Sequence, residues 1–284
     1  MDTTLVPLGP PADPVAAFCD KDEIYAFALA INDDNPLYLS GAAVPPTYAV
    51  VPVFRAYLDL ASLPAPAAVG MRGGVHSEHD LYIHSPIQPG THLRTVAERW
   101  SVTTSKPGMG VAVRLTSTDD HGALVLEQYW STLFLGEVTG GDQGPVLADH
   151  SFPDTARDRP VGTAVVHTTR DQTYRYAGAS GDRAIIHVSD ESASAMGFPR
   201  KFNQGLGTLG VTSRGLVELA AGGDPRRVRR IAVRFSAPTF PGDDIEVSVF
   251  EAGRTVDGRL AYAFEAVSAG RTVLRHGRIE VDPS

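Results

Sequence analysis

The chain has 284 residues, of which 43% are hydrophobic, and it carries a formal net charge of -8. These values predict one large globular domain or two of ordinary size, and no apolar run approaches the roughly 20 residues that a membrane span needs. An acidic chain is a poor partner for nucleic acid, whose phosphates require a basic surface. The single cysteine, Cys19, excludes an intrachain disulfide and favours a reducing, cytoplasmic compartment.

The first half of the chain opens with helical patterns, and four predicted strands follow. Apolar residues recur with helical period over residues 21–38, which end in Asp33-Asp34-Asn35-Pro36-Leu37-Tyr38. A second apolar helix is predicted over residues 46–61, with a kink at Pro52. Alternating β-patterned runs separated by turn residues then cover residues 78–84, 92–104, 110–118 and 123–135.

The second half repeats this plan after residues 139–165, whose high Gly, Pro and Asp content predicts a linker. The motif D-x-N-P-x-Y at Asp33 returns as D-x-A-I-x-H at Asp182, and residues 85–90 return at nearly the same spacing as residues 237–242. These recurrences predict a duplicated α+β unit, with one long helix covered by four antiparallel strands in each copy. The repeated helix is predicted over residues 204–221, and the repeated strands over residues 227–236, 244–251, 260–268 and 272–281.

Residues 176–210 combine an acid, an imidazole and a glycine-rich helix start. Asp182 and His187 lie five positions apart in a loop-like stretch, and Gly205 begins the second apolar helix. An acid, a nearby base and free backbone N–H groups at a helix N-terminus are what proton chemistry on a carbonyl compound requires. Taken singly, each residue has a structural explanation, with Asp182 as a helix cap, His187 as a core or surface histidine and Gly205 as a relief of crowding.

This segment resembles the hydratase motif of the MaoC-like, (R)-specific enoyl-CoA hydratases, a branch of the hotdog-fold superfamily. The match covers Tyr176, the run SGDRAIIH at residues 180–187, Ala193, GFPR at residues 197–200 and QGLGTLG at residues 204–210. Three positions depart from the family's Asn, Pro and His, namely Ala184, Ile185 and Gln204. The resemblance implies a double hotdog in one chain, with an N-terminal hotdog at residues 1–138, the linker, and a C-terminal catalytic hotdog at residues 166–284.

The resemblance also implies a hydro-lyase that adds water to a 2-enoyl thioester or removes it from a 3-hydroxyacyl thioester. Asp182 and His187 would form the catalytic acid–base pair on one water, and the backbone N–H of Gly205 would form the oxyanion hole. The partner would be a thioester of coenzyme A or of acyl carrier protein, with no metal or organic cofactor, and assembly into a homodimer stays open. The residues expected to bind substrate are Gln204, Ala184, Arg200, Lys201 and Tyr38.

Tyr38 stands where the first half would need its own catalytic histidine. With a pKa near 10, a tyrosine is a poor base at neutral pH. We therefore predict one active site, in the C-terminal half, and an N-terminal half that widens the substrate tunnel, as the resemblance implies for double-hotdog chains.

Other functions stay open at this point. One alternative keeps the fold but makes the chain an isomerase or cyclase with Asp182 as its base. Another makes it a protein that binds acyl thioesters without turnover. The spacing Gly205-x-Gly207-x-x-Gly210 formally fits a dinucleotide-binding fingerprint. That fingerprint requires a buried strand immediately before it, and residues 199–203 do not have the pattern of one.

Two charged or polar clusters have further interpretations. A histidine-rich strand could hold a metal, but strict alternation puts His79 on the opposite face from its neighbours, which favours a polar strand face near the interface of the halves. The run at residues 226–230 is typical of a solvated turn, and alternatively it or Arg200-Lys201 would meet the phosphates of coenzyme A or an acidic carrier protein. The neighbours of His79 in the first cluster are His76, Glu78, Asp80 and His84.

Overall fold

The structure of the chain is a computed structural model, which describes residues 8–62, 72–106, 108–136 and 141–284. The N-terminal half consists of β1 (Val15–Phe18), α1 (Lys21–Ala30), α2 (Pro36–Leu39), α3 (Val51–Ser62), β2 (Arg72–Ile83), β3 (His92–Ser105), β4 (Gly108–Thr118) and β5 (Leu124–Leu135). The C-terminal half consists of β6 (Pro160–His167), α4 (Gln172–Ser180), α5 (Asp190–Ala195), α6 (Gly205–Ala221), β7 (Val228–Phe235), β8 (Asp244–Arg254), β9 (Leu260–Ser268) and β10 (Arg271–Val281).

The strands form one ten-stranded antiparallel sheet in the order β1-β3-β4-β5-β2-β7-β10-β9-β8-β6. The second five strands repeat the first five in reverse order, and the two sets meet where β2 pairs with β7. Helix α3 packs against β3 and β4, and α6 packs against β6 and β8. The predicted α+β double hotdog is therefore confirmed: each half wraps a sheet around a long helix, and the halves form a pseudo-dimer.

Each half contributes five strands to the sheet, whereas four were predicted in each half. The additional strand is the first of each half, β1 and β6. β1 is only four residues long, and β6 begins within the segment predicted as the linker. Both are edge strands, paired with β3 and β8 respectively, and in β6 only Val166 is fully buried. An edge strand of this kind is stabilised by its neighbour's hydrogen-bonding groups, so its own hydrophobic alternation is weak.

The predicted kink at Pro52 is replaced by a change of helix type. The segment Pro46–Val50 forms a 3-10 turn, and α3 begins only at Val51, so that Pro52 lies in its first turn. Proline is tolerated there because the first helical N–H groups have no acceptor within the helix. Among the helices of the described ranges, none is both long and apolar enough to cross a membrane.

Side chains near the repeated motifs join the two halves. Asn32 donates to the carbonyl oxygen of His167 at 2.9 Å and accepts a hydrogen bond from Arg175 at 2.7 Å. Asn35, the motif asparagine of the first half, donates to the carbonyl oxygen of Gly223 at 2.9 Å. The loop that carries Asp33 in the first half thus fastens the turn after α6.

The arginine run at residues 226–230 has partners within the fold. Arg226 pairs with Asp224 at 2.9 Å, and Arg229 pairs with Asp282 at 2.5 Å. Arg230 is buried at the seam of the two halves, where Asp80 lies 2.8 Å from its guanidinium. Removing one member of such a buried pair leaves an uncompensated charge, which costs several kcal/mol, about 3–5. This run therefore holds the structure together rather than presenting a free basic surface.

Strand β2 corrects the prediction for the histidine cluster. A β-bulge falls between His76 and Glu78, so the alternation of faces is interrupted. The rings of His76 and His79 consequently meet edge to face with centroids 5.4 Å apart, whereas strict alternation put them on opposite faces. The expectation that this strand lies at the interface of the halves is correct, since β2 pairs with β7.

Candidate active site

The Asp182 loop is shaped by a glycine and by the carboxylate itself. Helix α4 ends at Gly181, which adopts φ +81°, a left-handed conformation that side chains disfavour. The backbone N–H of Ala184 then donates to Asp182 Oδ1 at 3.2 Å, closing a tight turn. The Oδ2 atom of Asp182 accepts no hydrogen bond from the residues that the structure describes, and the side chain is partly exposed. One carboxylate oxygen therefore orients the loop while the other is available to a ligand.

His187 ends a 3-10 turn, Ile185–His187, and its ring is oriented by a backbone carbonyl. Its Nδ1 lies 2.9 Å from the carbonyl oxygen of Phe202, and the Phe202 ring contacts it edge-on at 4.8 Å. Because a carbonyl oxygen only accepts hydrogen bonds, Nδ1 must carry the proton. In the neutral ring Nε2 is then the acceptor, and within the described ranges no residue donates to it.

The electrostatic setting keeps this imidazole neutral. Burial lowers the pKa of His187 below its usual value, while the Asp182 charge and the Phe202 carbonyl act in the opposite direction with smaller effects. A neutral imidazole with a fixed tautomer accepts a proton at Nε2 in the physiological range. The structure thus brings Asp182 and His187 into electrostatic contact, with one oxygen and one nitrogen available as acceptors.

Gln204 connects the Asp182 loop to the start of α6. Its Nε2 donates to the carbonyl oxygens of Thr173 and Asp182, each at 3.2 Å. The side chain is buried, and its Oε1 has no hydrogen-bond partner in the described part of the chain. A glutamine in place of the family's histidine therefore keeps the loop attached through donors alone.

Gly205 is the first residue of α6, where a helix provides no acceptor for the backbone N–H. A Cβ atom at this position would lie 3.3 Å from the nearest atom of the Phe235 ring. The missing side chain keeps the approach to this amide open, and the helix terminus adds a partial positive charge. The arrangement suits an oxygen atom that gains negative charge.

The remaining predicted substrate-binding residues lie in different environments. Ala184 is exposed beside Asp182. Arg200 is half-exposed, lies 4.0 Å from Asp243 and stacks over Phe240, whereas Lys201 is paired with Asp190 at 3.2 Å. Of these two cations, Arg200 is the less constrained.

Tyr38 is fully buried in a small cluster with Ala28 and Ala43. Burial raises the pKa of its phenol, and the charges of Asp33 and Asp224 act in the same direction. Its hydroxyl has no hydrogen-bond partner among the described residues. A neutral, enclosed phenol at this position cannot serve as a base, and its predicted contact with substrate stays a prediction.

Sequence reasoning missed two kinds of site residue. The carbonyl of Phe202 orients His187, but any residue type would supply a carbonyl, so composition carries no signal for it. Aromatic side chains from both halves also contact the site, with the Phe54 ring 3.6 Å from the Cβ position of Gly181. The weak available signal was Trp130, a large aromatic residue in the middle of a strand.

Comparisons with known proteins agree on one family. A family model described as "MaoC like domain" matches residues 153–266. The chain is 30% identical over 246 residues to 3-hydroxyacyl-thioester dehydratase Y of Mycobacterium tuberculosis, covering 83% of this chain and 80% of that protein. It is 28% identical to enoyl-CoA hydratase ChsH3 of the same organism, with 92% and 91% covered. A MaoC-like dehydratase from Phytophthora capsici shares the fold, with a TM-score of 0.82 at 24% identity and coverage of 97% and 96%.

Proposed function

The chain belongs to the MaoC-like dehydratase family, and on this premise we propose that it adds water reversibly to a 2-enoyl thioester. The names of two relatives describe the two directions of this reaction, hydration of an enoyl thioester and dehydration of a 3-hydroxyacyl thioester. The observation that carries the proposal is the hydrogen bond from His187 Nδ1 to the carbonyl of Phe202. It leaves Nε2 as an acceptor on a ring whose pKa is influenced by the charge of the Asp182 carboxylate.

In the hydration direction, one water molecule donates its two hydrogens to Asp182 Oδ2 and His187 Nε2. The acid–base pair takes one proton as the water oxygen bonds to C3 of the substrate. The electrons of the C2–C3 double bond then move to the thioester oxygen, giving an enolate. The pair returns the proton to C2, so that the elements of water are added and neither oxidant nor reductant is consumed.

The backbone N–H of Gly205 stabilises the enolate oxygen. A donor of this kind stabilises the transition state more than the ground state, because negative charge on the oxygen grows as the reaction proceeds. Removing such a donor typically costs about 3 kcal/mol. The helix terminus supplies the N–H without reorganisation, since its direction is set by α6.

The N-terminal half, with Tyr38 in place of a histidine, shapes the acyl tunnel and provides no second site. The carrier is coenzyme A or an acyl carrier protein, and Arg200 with Lys201 contacts its phosphates. Association of two chains into a homodimer and residence in the cytoplasm stay predictions. None of these assignments changes the acid–base chemistry proposed for Asp182 and His187.

The test is hydration of crotonyl-CoA and longer 2-enoyl-CoA thioesters, followed by loss of the conjugated thioester absorbance. Wild type is expected to turn over, and Asp182→Asn and His187→Ala are each expected to lose activity by several orders of magnitude while remaining folded. Asp257→Asn is the matched control, because it makes the same carboxylate-to-amide change in an exposed turn. A folded wild type inactive at every chain length, or an Asp182→Asn variant with full activity, contradicts the proposal.

A further inference from the structure

Five ring side chains form a continuous surface beside the catalytic residues, here called the aromatic wall. Trp130 is the centre of the wall, and Tyr57 and His76 each stack on it, with ring centroids 4.1 Å and 4.4 Å from that of Trp130. Phe54 stacks on Trp130 at 5.9 Å, and Phe235 contacts the His76 ring at 4.7 Å. Trp130 is nearly buried, whereas the other four rings are partly exposed.

The aromatic wall reaches the proposed catalytic groups at both of its ends. The Phe54 ring lies 3.6 Å from the Cβ position of Gly181, which directly precedes Asp182. At the other end, the Phe235 ring lies 3.3 Å from the Cβ position of Gly205. A thioester held between Asp182 and Gly205 therefore has its acyl group bounded by this wall.

His76 contributes an unpaired hydrogen-bond acceptor to the aromatic wall, whereas the hydroxyl of Tyr57 is paired with Thr132 Oγ1 at 3.1 Å. Its Nε2 lies 3.1 Å from the carbonyl oxygen of Glu78, so Nε2 carries the proton and donates it. Burial, together with the neighbouring His79, lowers the pKa of His76 well below its usual value, and the ring is neutral. Its Nδ1 is consequently an acceptor, and no residue in the described ranges donates to it.

The neighbouring His79 cannot supply the missing donor. Gln128 Nε2 donates to the carbonyl oxygen of Ala49 at 2.8 Å, which leaves Gln128 Oε1 to accept from His79 Nε2 at 3.1 Å. His79 Nδ1 is therefore a second acceptor, and it is fully buried without a partner among the described residues. The ring of His76 is partly exposed, so its Nδ1 is the acceptor that a ligand reaches, and a ligand that brings a donor to it gains affinity.

The chemistry of the wall defines the acyl group that it fits. Aromatic side chains prefer flat, conjugated partners, which they contact by offset stacking or edge to face. The acceptor on His76 adds a preference for a ligand that carries a hydrogen-bond donor. Because the rings of the wall are neutral, a charged donor is disfavoured and a neutral one is preferred. A flat acyl group with a hydroxyl substituent meets all three conditions.

We propose that the aromatic wall binds the acyl group of the substrate, and that His76 selects aryl acyl groups that carry a hydroxyl. This inference rests on the proposed function, because it takes the ligand to be an acyl thioester. It names His76 and Trp130 as residues that determine substrate specificity. Neither residue takes part in proton transfer to C2 or C3.

The test uses three saturated thioesters that cannot react, namely 3-phenylpropanoyl-CoA and its 3-hydroxyphenyl and 4-hydroxyphenyl counterparts, with binding measured by calorimetry. Wild type is expected to bind one hydroxylated isomer about tenfold more tightly than the unsubstituted thioester. In His76→Phe, which keeps a flat ring but removes the acceptor, the ratio is expected to fall to about one. His76→Gln, which restores an acceptor oxygen, recovers part of the ratio, and Trp130→Leu weakens all aryl thioesters relative to butanoyl-CoA.

His84→Phe is the matched control, since it makes the same change at an exposed position just beyond β2 and keeps the wild-type ratio. A wild-type ratio of one for both isomers, or an unchanged ratio in His76→Phe, overturns the inference. Because these thioesters need no turnover, the result is separate from the hydration assay. Hydroxyl-dependent binding without hydration of any enoyl thioester would refute the proposed reaction and leave this inference standing.

Discussion

Adding one methyl group at Gly205 separates the catalytic use of this residue from its structural one. The Cβ atom of Gly205→Ala would lie 3.3, 3.4 and 3.6 Å from three atoms of the Phe235 ring, which must shift by a few tenths of an ångström. The residue is at the first position of α6 and is absent from the residues with positive φ, so the backbone itself accepts alanine. The methyl group also occupies the space through which a thioester oxygen reaches the Gly205 N–H.

The expected effects on stability and on activity therefore differ in size. Alanine favours a helix over glycine by about 0.5–1 kcal/mol, and the tight contact with Phe235 costs about 1–3 kcal/mol. The helix preference offsets only part of the cost of the contact, so the free energy of unfolding is expected to fall by no more than about 2.5 kcal/mol. The rate constant kcat/KM is expected to fall about a hundredfold, because misplacing a reacting group by about 1 Å has that effect.

Two measurements on purified protein test this reasoning, urea denaturation for stability and kcat/KM with a 2-enoyl-CoA for activity. Gly178→Ala is the matched control, since Gly178 lies in α4 and a Cβ there would meet nothing within 4 Å. It is expected to stabilise the protein slightly and to keep its activity. A Gly205→Ala variant as active as Gly178→Ala would refute the role given to the Gly205 amide and its open approach.

Three further predictions follow from the same contacts. Tyr38→Phe removes a buried hydroxyl that has no partner among the described residues. Urea denaturation should therefore show a free energy of unfolding about 1 kcal/mol higher, with activity within twofold of wild type. A loss of activity would overturn the single-site assignment. Gln204→Leu leaves the carbonyl oxygens of Thr173 and Asp182 without the donor that they have in wild type, and it should lower the free energy of unfolding by about 2–4 kcal/mol. An unchanged denaturation midpoint would show that these hydrogen bonds contribute nothing. Burial lowers the pKa of His187 from 6.5, so below that pH the unfolded state binds more protons than the folded state. The free energy of unfolding and kcat/KM should therefore both fall only as the pH drops below 6.5. An acid limb of kcat/KM above pH 6.5 would contradict the neutral imidazole.

The main residues of the candidate site could be predicted because they are close in sequence. Asp182 and His187 belong to one short motif, and Gly205 begins a helix whose apolar character is visible in the sequence. Most of the longer strands were placed to within a few residues, and β9 matched its predicted bounds, since buried faces impose a regular alternation. The exception is β2, which begins at Arg72, well before the predicted start at residue 78. The edge strand β6 was missed because its stability comes from β8 rather than from its own pattern.

Features that depend on contacts between distant residues could not be predicted in this way. The bulge in β2 turns His76 and His79 toward each other, and strict alternation had separated them. The protonated nitrogen of His187 depends on the carbonyl of Phe202, which the sequence does not distinguish from any other carbonyl. The aromatic wall gathers side chains from α3, β2, β5 and β7 around Trp130.

The amino-acid sequence by itself determined the duplicated α+β plan, the position of the motif proposed for acid–base chemistry and the tyrosine, Tyr38, that replaces its histidine in the first half. These features depend on local periodicity and on residue identity, which neighbouring positions in the chain carry. The tertiary structure decided which nitrogen of His187 is the hydrogen-bond acceptor, which rings gather around Trp130 and where unpaired acceptors lie. Those outcomes arise from packing between the two halves, where residues far apart in the chain become each other's surroundings.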